Sequence, residues 1–353
     1  MRIYRFILLA LLCTSCAEKL VPTSLNEKEI ETILSKIEQE TMRSLNTSVE
    51  ELVNAGGNIK RGKAIVKRSE QLDLADKTHM EHIDWLSFQK NVLIELKGKT
   101  DSIVYIVSHY DKTDTNPLVL FNKFLNGLFD PLISWSYSSD GAIDNATGVA
   151  VSLQLAKALN NKGLKYTYRI LLVGAEESGL RGSRAHVARI PQEEFSKVIY
   201  MINMDVIGVK NKRNCVSSDI SNSILSTLAL ESATELGMEL GAGSIPVMAC
   251  SDYASFKKTS FFTDFGRSLQ FNLVGAFLPQ RSYFTKSKST EIINFSSCNL
   301  IDAGDYIGGT ILLPIGSIHG FRDSINLVDE TKLYEQYQIV YNFILKVERL
   351  NNL

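Results

Sequence analysis

The chain has 353 residues, 44% of them hydrophobic, and a formal net charge of −1 at pH 7, enough for one large domain or two small ones with a full core. So even a charge balance gives no electrostatic reason to expect nucleic acid as a partner. Only five histidines are present, His79, His82, His109, His186 and His319, so any imidazole chemistry draws on a short list.

The first sixteen residues stand apart. Arg2 and Arg5 accompany an apolar run, Ile3 to Leu12, followed by "CTSCAEK". A basic start, a short apolar stretch and small residues before a cleavage point make a secretory signal, and the run is too short to span a bilayer. Thr14-Ser15 before Cys16 resembles the lipobox of bacterial lipoproteins, with Cys13 where leucine is usual. The resemblance implies that Cys16 is acylated, becomes the new N-terminus and attaches the protein to a membrane. The location implied is extracytoplasmic: bacterial periplasm or outer membrane as a lipoprotein, with ordinary secretion as the alternative. Cys215, Cys250 and Cys298 then remain, and the sequence leaves their pairing open.

Residues 17–24 read as a tether. Ile30, Ile33, Leu34 and Ile37 recur at helical spacing, and Ser24 with Glu27 makes a capping-box pattern. Gly56-Gly57 is expected to stop a second helical run. No Pro-, Gly- or Ser-rich linker follows, so residues 25–353 read as a single domain that includes these helices.

From about residue 85 strand and helix alternate. "FQKNVLIELKG", "SIVYIVSHYD", "YRILLVGAEE" and "VIYMINMDVIG" are predicted strands, and "GVAVSLQLAKALNNKG", "SILSTLALESATELG" and "TKLYEQYQIVYNFILKVERL" predicted helices. The pattern predicts an α/β fold: a three-layer α/β/α sandwich with a mixed, mainly parallel central sheet. Two stretches break the rhythm. Residues 112–141 read as a long loop carrying Phe121, Phe124, Leu128, Phe129 and Trp135, either a satellite cluster packed on the body or a lid or specificity wall for apolar side chains. Residues 266–295 carry no assignable element.

Ligands of open α/β sheets bind beyond the carboxyl ends of the strands. There the sequence delivers His109 and Asp111, then Asp144 before a helix, then Glu176 and Glu177, then Asp205. Taken alone, His109 reads as a rim histidine and the glutamate pair as a solvated helix start. Taken together, so many carboxylates repel one another unless a cation neutralises them. Imidazole mixed with carboxylate oxygen suits zinc. His186 reads as structural, and His79 and His82 as solvated.

The motifs "SHYD", "DNATGVA", "AEESGLRGS", "INMDVIG", "CSDYASF" and "IHGFRDSINLVD" resemble, in order and context, those of the secreted di-zinc aminopeptidases. That clan also holds glutaminyl cyclases, glutamate carboxypeptidases and the transferrin-receptor ectodomain. The likeness covers about residues 88–345. It implies a zinc-exopeptidase, phosphorylase/hydrolase-like fold, two zinc ions per chain, and hydrolysis of the N-terminal peptide bond of a peptide substrate. Position by position it implies that Asp144 bridges the metals, that His109 and Asp205 bind one ion and Glu177 and His319 the other, and that Glu176 is the general base. From spacing, Asp111 is expected to accept the second ring N–H of His109, and Asp323 that of His319.

Three departures stand out. Tyr253 occupies the place of a family histidine. Ile318 precedes His319 where a transition-state tyrosine is usual, leaving Tyr253 or Tyr283 as candidates for that role. The 35 residues from His109 to Asp144 exceed the usual gap. Rival readings are a mono-zinc cyclase-like enzyme, a carboxypeptidase or dipeptidase using Arg181, Arg267 or Arg281 on a terminal carboxylate, and a binding ectodomain without metals.

Overall fold

The computed structural model describes residues 27–84, 87–112, 139–244, 251–257, 290–298 and 322–350. Its frame is one eight-stranded sheet: β1 (Thr78–His82), β2 (Lys90–Leu96), β3 (Ile103–His109), β4 (Thr167–Val173), β5 (Val198–Met204), β6 (Asn214–Ser217), β7 (Gly241–Gly243) and β8 (Glu291–Ser297). The order is β1-β2-β4-β3-β5-β8-β6-β7. The central four, β4, β3, β5 and β8, run parallel. Three of them, β4, β3 and β5, are the apolar runs of the sequence, as strands covered on both faces must be. On the flanks, β2 pairs antiparallel with β4, β1 with β2, and β6 with β8. The sheet is therefore mixed and mainly parallel, as the alternation predicts.

Among the described residues seven helices accompany it: α1 (Glu27–Ala55), α2 (Asn58–Gln71), α3 (Thr147–Leu159), α4 (Arg181–Arg189), α5 (Gln192–Phe195), α6 (Ser223–Leu236) and α7 (Glu330–Arg349). Alternate side chains of β3 feed two separate cores. Val104 and Ile106 join Val49, Leu52, Ile65, Leu153, Val340 and Phe343 beneath α1, α2, α3, α6 and α7. Tyr105 and Val107 join Val187, Phe195 and Phe256 on the opposite face, which α4 and α5 cover. Helix ends follow local chemistry. The Asn222 side chain accepts the Ile224 and Leu225 N–H groups at the start of α6, and Gly237 ends it in the left-handed region at φ +68°.

Several expectations change. The N-terminal helical runs are one 29-residue helix, α1, and Gly56 at φ +80° ends it. A further helix, α2, follows; its charged sequence, NIKRGKAIVKRSEQ, hides the positions it buries. His79 and His82 are exposed, but they lie on edge strand β1 of the same sheet. The stretch left without an element, 266–295, ends inside the central strand β8, which starts at Glu291. Cys215 is disulfide-bonded to Cys298, 83 residues away. The leader with Cys16, the tether, Ser24, Cys250, Arg267, Arg281, Tyr283, His319 and residues 113–138 lie outside the described residues. Among the described residues no helix is long and apolar enough to cross a membrane.

Candidate metal centre

β3 and β5 are neighbours in register, so their carboxyl ends bring His109 and Asp205 side by side. Asp144 arrives from the turn that leads into α3. Nε2 of His109 lies 3.0 Å from Oδ1 of Asp144 and 3.2 Å from Oδ1 of Asp205. One ligand atom from each of the three falls within 4.8 Å of the others. His109 and Asp144 are buried, and Asp205 is partly so. Glu177 is not part of this cluster, and His319 lies outside the described residues.

The surroundings fix these side chains through main-chain bonds. Asn145 donates from Nδ2 to the Met204 carbonyl at 2.9 Å, and its Oδ1 accepts the N–H groups of Gly148 and Val206. One amide thus joins the start of α3 to the end of β5. Asp323 accepts the Ile143 N–H at 2.7 Å, the Asp144 N–H at 3.4 Å and the Ser139 hydroxyl at 2.9 Å. Its carboxylate braces the turn that carries Asp144.

The role expected of the Asp111 side chain is divided differently. Nδ1 of His109 lies 3.1 Å from the main-chain carbonyl oxygen of Asp111, while the nearer carboxylate oxygen is 3.6 Å away. The carboxylate instead accepts the N–H groups of Glu176 at 3.0 Å and Glu177 at 3.2 Å. The chain turns directly after the strand, which brings the carbonyl two residues on back to the ring and sends the side chain across to β4's end. Ala175, Leu180 and Val206, around this edge, adopt left-handed backbone at φ +55°, +59° and +56°. Such strain in residues with side chains concentrates at functional sites.

Burial raises the carboxyl of Glu176 well above the usual range; His109 opposes this, and Glu177, Asp252 and Asp205 add to it. Burial works against a charged imidazole at His109, yet Glu176 and Asp205 hold it well above its ordinary value. Asp252, in a 3-10 turn at Asp252–Phe256, is completely buried. Burial pushes it up to about 7, with His109 pulling the other way. Its signal in the sequence is a carboxylate inside an otherwise apolar or hydroxylic stretch, CSDYASF.

Other named residues fall elsewhere. Arg181 is buried and bonds Asp84 through two nitrogens, at 2.7 and 3.0 Å. His186 sits in the opposite core between Glu81, at 2.7 Å, and the Tyr105 hydroxyl, at 3.0 Å.

The donor set fits a divalent cation. One imidazole nitrogen and two carboxylate oxygens converge in a buried pocket of excess negative charge, where His109 is driven to take a proton. A cation would relieve the same repulsion with the imidazole neutral, and nitrogen with carboxylate oxygen is a zinc-type set.

The profile of "Peptidase family M28" matches residues 91–268. A "Probable zinc metalloprotease" of Pyrenophora tritici-repentis is 28% identical over 181 residues, 46% of this chain and 38% of the relative. "Aminopeptidase YwaD" of Bacillus subtilis is 28% identical over 110 residues, 31% of this chain and 19% of the relative. The chain thus aligns with well under half the length of these curated relatives. The crystal structure of LapB from Legionella pneumophila covers 98% of this chain and 81% of its own, with a TM-score of 0.62 at 15% identity, a likeness of fold.

Proposed function

The chain belongs to peptidase family M28, and from that premise we propose that it is a zinc-dependent exopeptidase that hydrolyses the N-terminal peptide bond of peptides. The observation that carries this reading is the convergence of His109 Nε2 on Asp144 and Asp205 at 3.0 and 3.2 Å. His109 and Asp205 would hold one zinc ion, Glu177 and His319 a second, with Asp144 between them. Bound there, the metal would supply Lewis acidity, bringing a water's pKa toward 7 and polarising the scissile carbonyl. Glu176 accepts the proton of the attacking water and returns it to the leaving amine. For that work a base must first be positioned, and the bond from its own N–H to Asp111 fixes the turn that presents it. The surplus of carboxylates suits a substrate with a free α-ammonium. Arg181, the one described arginine weighed as an anchor for a terminal carboxylate, is already engaged by Asp84, which favours the amino end over the carboxyl end.

The lipobox-like "CTSCAEK" supports a lipid anchor at Cys16 and a place outside the cytoplasm. The Cys215–Cys298 disulfide suits such an oxidising compartment. The test is a panel of aminoacyl fluorogenic substrates, with free and blocked amines, assayed with and without chelator. Cleavage of free amines alone, abolished by chelation and restored by zinc, is expected. Cleavage of blocked substrates, or cleavage indifferent to chelation, overturns the reading.

A further inference from the structure

The helices α1 and α2 precede the matched family segment, which begins at residue 91, yet one of their side chains reaches the metal centre's framework. Arg61, in α2, has no exposed surface. Its Nε donates to the Tyr110 carbonyl at 2.5 Å, Nη1 to that of Asp140 at 2.9 Å and Nη2 to that of Gly141 at 2.8 Å. These carbonyls belong to two stretches far apart in the chain. Tyr110 directly follows His109, and Asp140 and Gly141 lead into Asp144.

Neighbouring bonds pull the same two stretches together. Asn58, one turn earlier in α2, donates to the Lys112 carbonyl at 3.2 Å and accepts the Lys112 N–H at 3.0 Å. Nζ of Lys112 donates to the Ser139 carbonyl at 2.5 Å. The fit is tight at Gly141, where φ is +60° and an added Cβ would stand 2.5 Å from Cβ of Lys112 and 2.9 Å from Nη1 of Arg61.

A buried guanidinium is costly unless its donors are met. Here a neutral carbonyl accepts from each of its three nitrogens, and among the described residues no carboxylate bonds to it. Its charge is left to act on the acids nearby, Asp323, Asp111 and Asp144 foremost. We infer that Arg61 is a positioning residue of the metal centre: its planar fork fixes the stretch carrying His109 against the stretch carrying Asp144, and its charge offsets the surrounding acids. This rests on the reading that His109 and Asp144 bind zinc. Lysine cannot substitute fully, because a compact ammonium lacks the rigid fork that reaches three acceptors at once.

Arg68 supplies the control. It is buried in the same helix but bonds Ser44 and Ser48 of α1 and Gln71 of its own helix. Full-length wild type, Arg61→Gln, Arg61→Lys and Arg68→Gln are compared by zinc affinity, from competition with a chromogenic chelator, and by urea unfolding of the metal-free proteins. Zinc affinity is expected to fall about 10- to 100-fold in Arg61→Gln, less in Arg61→Lys, and to stay at the wild-type value in Arg68→Gln despite its lost stability. Should Arg61→Gln not fold, Arg61→Lys carries the comparison. Undiminished affinity in both Arg61 variants, or an equal loss in Arg68→Gln, overturns the positioning role and leaves zinc binding standing. A wild-type protein that takes up no zinc overturns the metal reading, and this inference with it.

Discussion

The main-chain N–H of Glu176 donates to Oδ1 of Asp111 across 3.0 Å. Since Asp111 also offers its carbonyl to the ring of His109, one residue sets both the imidazole at the end of β3 and the glutamate turn at the end of β4. In Asp111→Asn an amide NH2 would face one of the two N–H groups that the carboxylate now accepts. A fall in kcat of about 10- to 100-fold is expected, as for other residues that orient a metal site. Steady-state kinetics on a free-amine substrate checks this; wild-type kcat would mean that the turn holds its shape unaided.

Glu176→Gln keeps the size of the side chain and removes its basicity. Loss of a general base costs about 10²–10⁴-fold in rate, and the zinc content should be unchanged because Glu176 is not a proposed ligand. Turnover and bound zinc are measured on one preparation. A variant that retains wild-type turnover takes the base role away from Glu176.

The metal-free protein should lose stability as pH rises. Burial pushes Asp252 and Asp323 up to about 7 from 3.8, and the charge of Asp144 adds to the effect on Asp323. Between about pH 4 and 7 the folded state therefore holds more protons than the unfolded one, and stability declines across that window. His109, whose folded value is raised by Glu176 and Asp205 against the cost of burial, acts in the same direction, its contribution fading as pH climbs through that value. Urea midpoints taken in chelator should be higher at pH 5 than at pH 8. Midpoints that climb with pH would contradict the charge balance described for this pocket.

Gly148 opens α3 where a Cβ would lie 2.4 Å from Oδ1 of Asn145 and 2.7 Å from the Met204 carbonyl. Gly148→Ala must therefore displace the amide that ties α3 to β5. A loss of about 1–3 kcal/mol, the usual scale of overpacking, is expected in urea unfolding, together with weaker zinc retention. Wild-type values for both would show that the contact yields without cost.

The sequence made the parallel centre legible because β3, β4 and β5 carry apolar cores (IVYIV, ILLV and VIYMI) that burial on both faces explains. The acids at their ends were legible for the converse reason: charge at the rim of a core needs a purpose. β1 escaped notice because THMEH, an edge strand with no buried residue, has no alternation to betray it. Arg61 was invisible for a similar reason. A charged residue in a helix full of lysine and arginine reads as solvent-facing, and only the fold reveals that its acceptors are carbonyls from residues 110, 140 and 141. Spacing pointed to Asp111 beside His109 but could not tell the carbonyl, at 3.1 Å, from the carboxylate, at 3.6 Å.

Equilibrium dialysis against zinc tests the centre most directly, with wild type beside His109→Ala, Asp144→Ala and Asp205→Ala. Wild type should bind about two equivalents, the number a paired site holds, and each variant fewer. No zinc bound by wild type, or full binding by all three variants, would contradict a metal centre built on these residues.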